Sequence, residues 1–204
     1  ADVDVIERDP KKPYHHGGLR EQLLLVVRGL VEEFGPDGFS VAEAARRAGV
    51  SSAAPYKHFR DRTELLNGVV SDAMDRHKAD MLRRRDAHPV GSLEAVTALG
   101  EAYVDFARAE PGVFRLMFGL TEGHDEDPAL RRKGESCFGV VVEAVAAYLG
   151  GCDEATARRK AYLLWTIVHG HSFLSIDDKR KTAVDETPDW DLLMEAGRGI
   201  LQRG

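Results

Sequence analysis

Apolar positions recur along this 204-residue chain with the three-to-four spacing of helices, and no stretch makes a convincing strand. From Leu19, the residues Leu23, Val26, Val27, Leu30, Val31 and Phe34 fall on one face, until Gly35-Pro36-Asp37-Gly38 stops the helix and turns the chain. Ser40 is placed to cap a short Ala-rich helix over Val41 to Ala48. Gly49 and Val50 form a tight turn, and a second short helix is expected from Ser51 or Ser52 through Phe59. Asp61, with Glu64 three residues on, opens a fourth helix whose Leu65, Leu66, Val69, Val70 and Met74 carry the apolar face on to about Leu82.

Five more helices are expected beyond the linker at Asp86 to Gly91. Ser92 caps one bearing Leu93, Val96, Leu99, Tyr103 and Phe106, and Pro111 begins a short one that ends at Gly119. After an acidic loop from Thr121, Asp127-Pro128 starts a helix running to Gly150. Asp153 opens the next, apolar on all sides between Tyr162 and Leu174, which suits a large core or an interface. Past a polar loop at Lys179 to Glu186, Thr187-Pro188 starts a final striped helix bearing Trp190, Leu193, Met194, Gly197, Ile200 and Leu201. The expected fold class is all-α: about nine helices, three small ones and a lever followed by a larger bundle.

The stretch SVAEAARRAGVSSAAPYKHF, Ser40 to Phe59, reads as a helix-turn-helix. Gly49 tolerates the left-handed backbone that ends the first helix, and Ala44, Ala45 and Ala48 let the second cross close by. Pro55 leaves that second helix too weak to stand without a packed partner. Small residues at its start fit close approach to a base edge, while Tyr56, Lys57 and His58 can reach phosphate oxygens. Arg62, at the start of the fourth helix, is placed to meet a phosphate with help from the helix dipole. The same pattern also describes a compact Ala-rich corner of any helical protein.

GVSSAAPYKHFRDRTELL, preceded by SVAEAARRA and an amphipathic helix, resembles the DNA-binding domain of the tetracycline-repressor (TetR) family of bacterial transcription regulators, over roughly Tyr14 to Val70. Trp165 followed by His169-Gly170 resembles a signature of one TetR subgroup's C-terminal domain, and Tyr14-His15-His16-Gly17 a segment common in one branch. Pro55 departs from the family pattern, where leucine is frequent. The resemblance implies a flexible arm over 1–13, a DNA-binding domain over 14–70, and a ligand-binding and dimerisation domain over 71–204. It implies a cytoplasmic homodimer joined through its last two helices, a palindromic double-stranded operator, and a small-molecule effector that releases it. Operator contacts are expected from Ser40, Val41, Ser51, Ser52, Ala53, Ala54, Tyr56, Lys57, His58 and Arg62. Tyr103, Phe106, Phe114, Phe118, Phe138, Trp165 and His169 are the candidate pocket, although aromatics at helical spacing serve a plain core equally well.

Net charge is -6, but its distribution matters more than its sum. Between Arg8 and Arg62, ten Lys/Arg face seven Asp/Glu, so the basic end is the end with the helix-turn-helix. Such a small excess favours a dimer presenting two surfaces. Cys137 and Cys152 suggest a reducing compartment and no disulfide framework, and the longest apolar run, broken by His169 and His171, is too short to cross a bilayer. No cofactor or metal is expected. Adjacent His15-His16 lack a third ligand, and His169 and His171, two apart on a helix, face different ways. The alternative is an all-α ligand-binding scaffold or small enzyme without DNA binding, resting on those histidines, the acidic run His124 to Asp127, or a reactive cysteine.

Overall fold

Five helices begin where the sequence supplies a side-chain acceptor. Ser40 Oγ accepts the Glu43 N–H at 3.1 Å, Asp61 that of Glu64 at 2.8 Å, and Ser92 that of Ala95 at 3.1 Å. Asp127 accepts from Ala129 at 2.8 Å and Asp153 from Thr156 at 2.9 Å. Each cap satisfies one of the orphan donors of a first helical turn, and losing one costs about 1 kcal/mol. The computed structural model describes residues 18–119, 127–184 and 186–202, and among them every regular element is helical. These are α1 (Leu19–Phe34), α2 (Val41–Arg47), a single 3-10 turn (Ala54–Lys57), α3 (Arg62–Arg85), α4 (Leu93–Ala109) and α5 (Pro111–Phe118). Then come α6 (Pro128–Leu149), α7 (Glu154–Ile176), α8 (Arg180–Ala183) and α9 (Asp189–Ile200). The expected arm over 1–13, the Tyr14 to Gly17 segment and the acidic stretch 121–126, His124 included, lie outside the described residues.

Two elements differ from the sequence expectation. Ser51 to Phe59 forms no α-helix: Ala54 N–H bonds to the Ser51 carbonyl, and the His58 and Phe59 N–H groups share the Pro55 carbonyl at 3.0 and 2.9 Å. Proline removes a donor from a segment already too short to propagate, so one tight turn is all that forms. Within the expected polar loop, Arg180–Ala183 makes one helical turn, α8.

A first core joins α1, α2 and α3 through Leu23, Val27, Leu30, Ala44, Phe59, Leu65, Leu66 and Val69, and takes in Val113 and Leu116 of α5. Burying each large side chain is worth about 1.5–3 kcal/mol, which supplies the support that the 3-10 turn lacks on its own. Gly49 adopts φ +69°, as the turn after α2 requires. A second core fills the space among α3, α4, α6, α7 and α9. The long α3 belongs to both, entering the first core at Leu65 and the second at Met81.

The two ends are stapled a second time through α5. Glu32 of α1 accepts the backbone N–H groups of Gly112 and Val113, at 2.9 and 2.7 Å, in the first turn of α5. Gly112 is required by the closeness of this contact, since a Cβ there would stand 2.7 Å from the Val31 carbonyl oxygen. Beside it the buried Glu110 receives Arg28 of α1 and Arg76 of α3, the latter at 2.6 Å. Among the described residues no single helix is long and apolar enough to cross a membrane.

Candidate functional site

The turn after α2 presents one exposed edge. Ser51, Ser52, Ala53, Tyr56, Lys57 and His58 are all exposed, while Pro55 and Phe59 of the same turn face the core. Tyr56 is 57% exposed. Ser40 is exposed too, its hydroxyl engaged as the α2 cap.

Three members of the expected DNA-facing set stand elsewhere. Val41 is buried in the first core, because the first turn of α2 packs inward and offers no side chain there to a duplex. Ala54 is half-buried. Arg62 turns away from the edge: its guanidinium lies over the Phe39 ring, 4.7 Å from the centroid, and donates to the Pro36 carbonyl. It ties the α1–α2 loop to α3, since a cation over an aromatic face with a carbonyl to receive its N–H is well satisfied. Two further cations of this end are engaged by its own carboxylates. Arg46 and Arg47 both hydrogen-bond Glu43 and hold its carboxyl down to about 2, and Arg47 reaches Glu33 as well. Arg60, absent from the expected set, is largely exposed and lies 3.6 Å from the Asp61 carboxylate.

Between α3, α4, α5, α6, α7 and α9 lies a cavity of about 200 Å³. Five of the seven candidate aromatics line it: Tyr103, Phe106, Phe118, Phe138 and Trp165. Phe114 does not, being fully buried behind Tyr103 and Phe118, 5.5 and 5.0 Å away between ring centroids. His169 is also absent from the wall. Trp165 Nε1–H donates to the Tyr103 hydroxyl at 3.1 Å, and that hydroxyl, kept protonated by burial, shares a hydrogen bond with His169 Nδ1 at 2.7 Å. Trp165 and His169, four apart on α7, thus hold Tyr103 in place, and His169 acts from behind the wall.

Sequence reasoning missed the α3 side of this cavity. Met74, His77 and Met81 form one stripe of that helix and face Cys137 and Val141 of α6 across the space. Their spacing of three and four was legible, but methionine and histidine on a lever helix look like ordinary packing until the opposite wall is known. His77 is 6% exposed, its ring packs against Phe106 and Tyr103, and its Nδ1 has no hydrogen-bond partner. Burial pushes its imidazole down to about 4, so the ring is neutral near pH 7.

Among the described residues no three His, Cys, Asp or Glu side chains converge on a point. His171 Nε2 pairs with Asp189 at 2.7 Å, away from His169. Burial pushes the Cys137 thiol up, against reactivity.

The family model described as "Bacterial regulatory proteins, tetR family" matches residues 23–69, and that described as "Tetracyclin repressor-like, C-terminal domain" matches residues 96–196. The nucleoid occlusion factor SlmA of Idiomarina loihiensis is 24% identical over 163 residues, covering 78% of this chain and 79% of that protein. The HTH-type transcriptional regulator BetI of Escherichia coli is 35% identical over 75 residues, 37% of this chain and 38% of BetI. A solved structure of a protein with unknown function from Rhodococcus sp. RHA1 superposes with a TM-score of 0.78 at 31% identity, over 94% of this chain and 97% of the other. A putative TetR-family transcriptional regulator from Rhodococcus sp. shares the fold, with a TM-score of 0.71 at 17% identity over 91% and 100% of the two chains. With one family model on the helix-turn-helix end and the other on the bundle that holds the cavity, the chain belongs to the tetracycline-repressor family of bacterial transcription regulators.

Proposed function

We propose that the protein represses transcription as a homodimer on a palindromic operator and leaves it when a small molecule enters the bundle cavity. The observation that carries this reading is the path between the two sites. Met74, His77 and Met81 of α3 and Met117 and Phe118 of α5 line the cavity. The other end of α3 packs under the helix-turn-helix through Leu65, Leu66 and Val69, and α5 is bonded to α1 by Glu32. A molecule that alters the cavity shape displaces both supports together, and it can do so by no more than its differential affinity for the two arrangements.

Operator contacts fall to Ser51, Ser52 and Ala53 at base edges and to Tyr56, Lys57 and His58 at phosphates. With few hydrogen-bonding groups on this edge, readout relies on thymine methyls and DNA shape in addition. The dimer is read from α7, whose outer face carries Tyr162, Leu163, Ile167 and Leu174, between 41% and 54% exposed. An all-round apolar helix suits a large core or an interface; one chain covers only its inner face, and a second copy covers the rest. Two-fold pairing sets the recognition turns about 34 to 36 Å apart.

Selection of bound duplexes from a random pool, at two salt concentrations, tests the reading. An enriched palindrome with half-sites one helical turn apart is expected. No enrichment at low salt by folded protein refutes it and leaves a ligand-binding scaffold.

A further inference from the structure

The cavity wall specifies what it will hold. Among the described residues its lining contains no Asp, Glu, Lys or Arg side chain; it is made of aromatic rings, the thioethers of Met74, Met81 and Met117, and aliphatic groups. A charged ligand would enter without a counter-ion, at a cost far beyond what the contacts return. Aromatic edges and sulfur atoms favour a ring. An apolar cavity of about 150 Å³ holds benzene, so about 200 Å³ accommodates a ring with one or two small substituents, on the order of eight to ten non-hydrogen atoms.

Polar groups in the wall are few, and most are already engaged. Thr97 Oγ1 donates to the Leu93 carbonyl at 2.9 Å, Tyr103 is held by Trp165 and His169, and Cys137 Sγ faces the Met74 carbonyl at 3.8 Å. His77 differs: it lines the cavity, and its Nδ1, buried and closed off from that space as the ring stands, has no partner, so a turn of the ring presents it to a ligand. A buried polar atom left without a partner is destabilising, and a ligand group meeting it recovers that loss. We infer that the effector is a small, uncharged, hydroxyl-bearing aromatic molecule whose hydroxyl bonds to His77 Nδ1. A hydroxyl both donates and accepts, so it serves either tautomer of a neutral imidazole. The bond is made to α3 itself, the helix that reaches the DNA-binding end. This inference rests on the cavity being the effector site.

Calorimetry with 4-methylphenol, toluene and 4-methylbenzoate as probes tests it on the full chain. In the unmodified protein 4-methylphenol binds about tenfold more tightly than toluene, the value of one net hydrogen bond, and 4-methylbenzoate binds more weakly than either. His77→Leu brings the first two within about twofold of each other by losing affinity for the phenol, whereas His77→Gln, which keeps a polar group, retains most of the preference. Equal binding of phenol and toluene by the unmodified protein overturns the role of His77 while leaving the cavity as an apolar ligand site. Preferential binding of the benzoate overturns the inferred class. Failure of all three probes to bind overturns the cavity reading itself, and the unmodified protein decides all three outcomes even where a variant fails to fold.

Discussion

Removing the Glu32 carboxylate probes the second connection between the helix-turn-helix and the bundle. Glu32→Ala deletes two backbone-to-carboxylate hydrogen bonds, of 2.9 and 2.7 Å, from the first turn of α5. Bonds of this charge-assisted kind contribute about 1.5–3 kcal/mol each. The site is half-buried and water reaches part of it in the variant, so the lower end applies to each bond. Loss of a negative charge at the start of α5 removes a few tenths of a kcal/mol more. The sum is about 3 kcal/mol, which for a chain of this size lowers Tm by about 6–12 °C. The neighbouring Glu33 supplies the control. It is exposed and pairs with Arg47 in solvent, so Glu33→Ala costs at most about 1 kcal/mol. Urea unfolding of the two variants beside the unmodified protein makes the measurement. A loss below about 0.5 kcal/mol for Glu32→Ala, or equal losses for the two, refutes the assignment of the α1–α5 link to this carboxylate.

Acid will destabilise the protein through His77. The folded state takes up its proton only near pH 4, whereas the unfolded chain does so near 6.5. The unfolded state therefore binds more protons in that window, and stability falls as pH drops through it, by about 2 kcal/mol between pH 7 and pH 5. His169, also lowered by burial, adds to the same slope. His77→Leu flattens it, and an unchanged pH dependence of urea midpoints refutes the cause. Lys57→Ala should weaken binding to all DNA sequences and reduce the salt slope by about one; an unchanged slope excludes Lys57 as a phosphate contact. Gly100→Leu places a side chain where even a Cβ would stand 3.2 Å from Leu193 at the cavity wall, so it should abolish binding of 4-methylphenol while DNA affinity persists, as read by calorimetry and gel shift. Leu163→Asp puts a charge on the exposed face of α7 and should give monomers in sedimentation; a persistent dimer places the interface elsewhere.

Much of the architecture is local in origin and was legible in the chain. Ser40, Asp61, Ser92, Asp127 and Asp153 are short acceptors ahead of apolar periodicity, and each caps the helix expected of it. Gly49 marks the turn, and the spacing of Leu23, Val27 and Leu30 gives the inner face of α1. Such features depend on interactions within a few residues, so sequence alone determines them. Tertiary structure decided what depends on packing between distant elements. It buried Val41 and Phe114, folded Arg62 over Phe39, and left His169 hydrogen-bonded behind the cavity. It also brought Glu32 to the start of α5 across 80 residues, and aligned Met74, His77 and Met81 with walls from five other helices. A side chain's periodicity tells which way it faces on its own helix, but a cavity is the space that several faces fail to fill, and only their assembly fixes where that space lies and which polar atom is left in it.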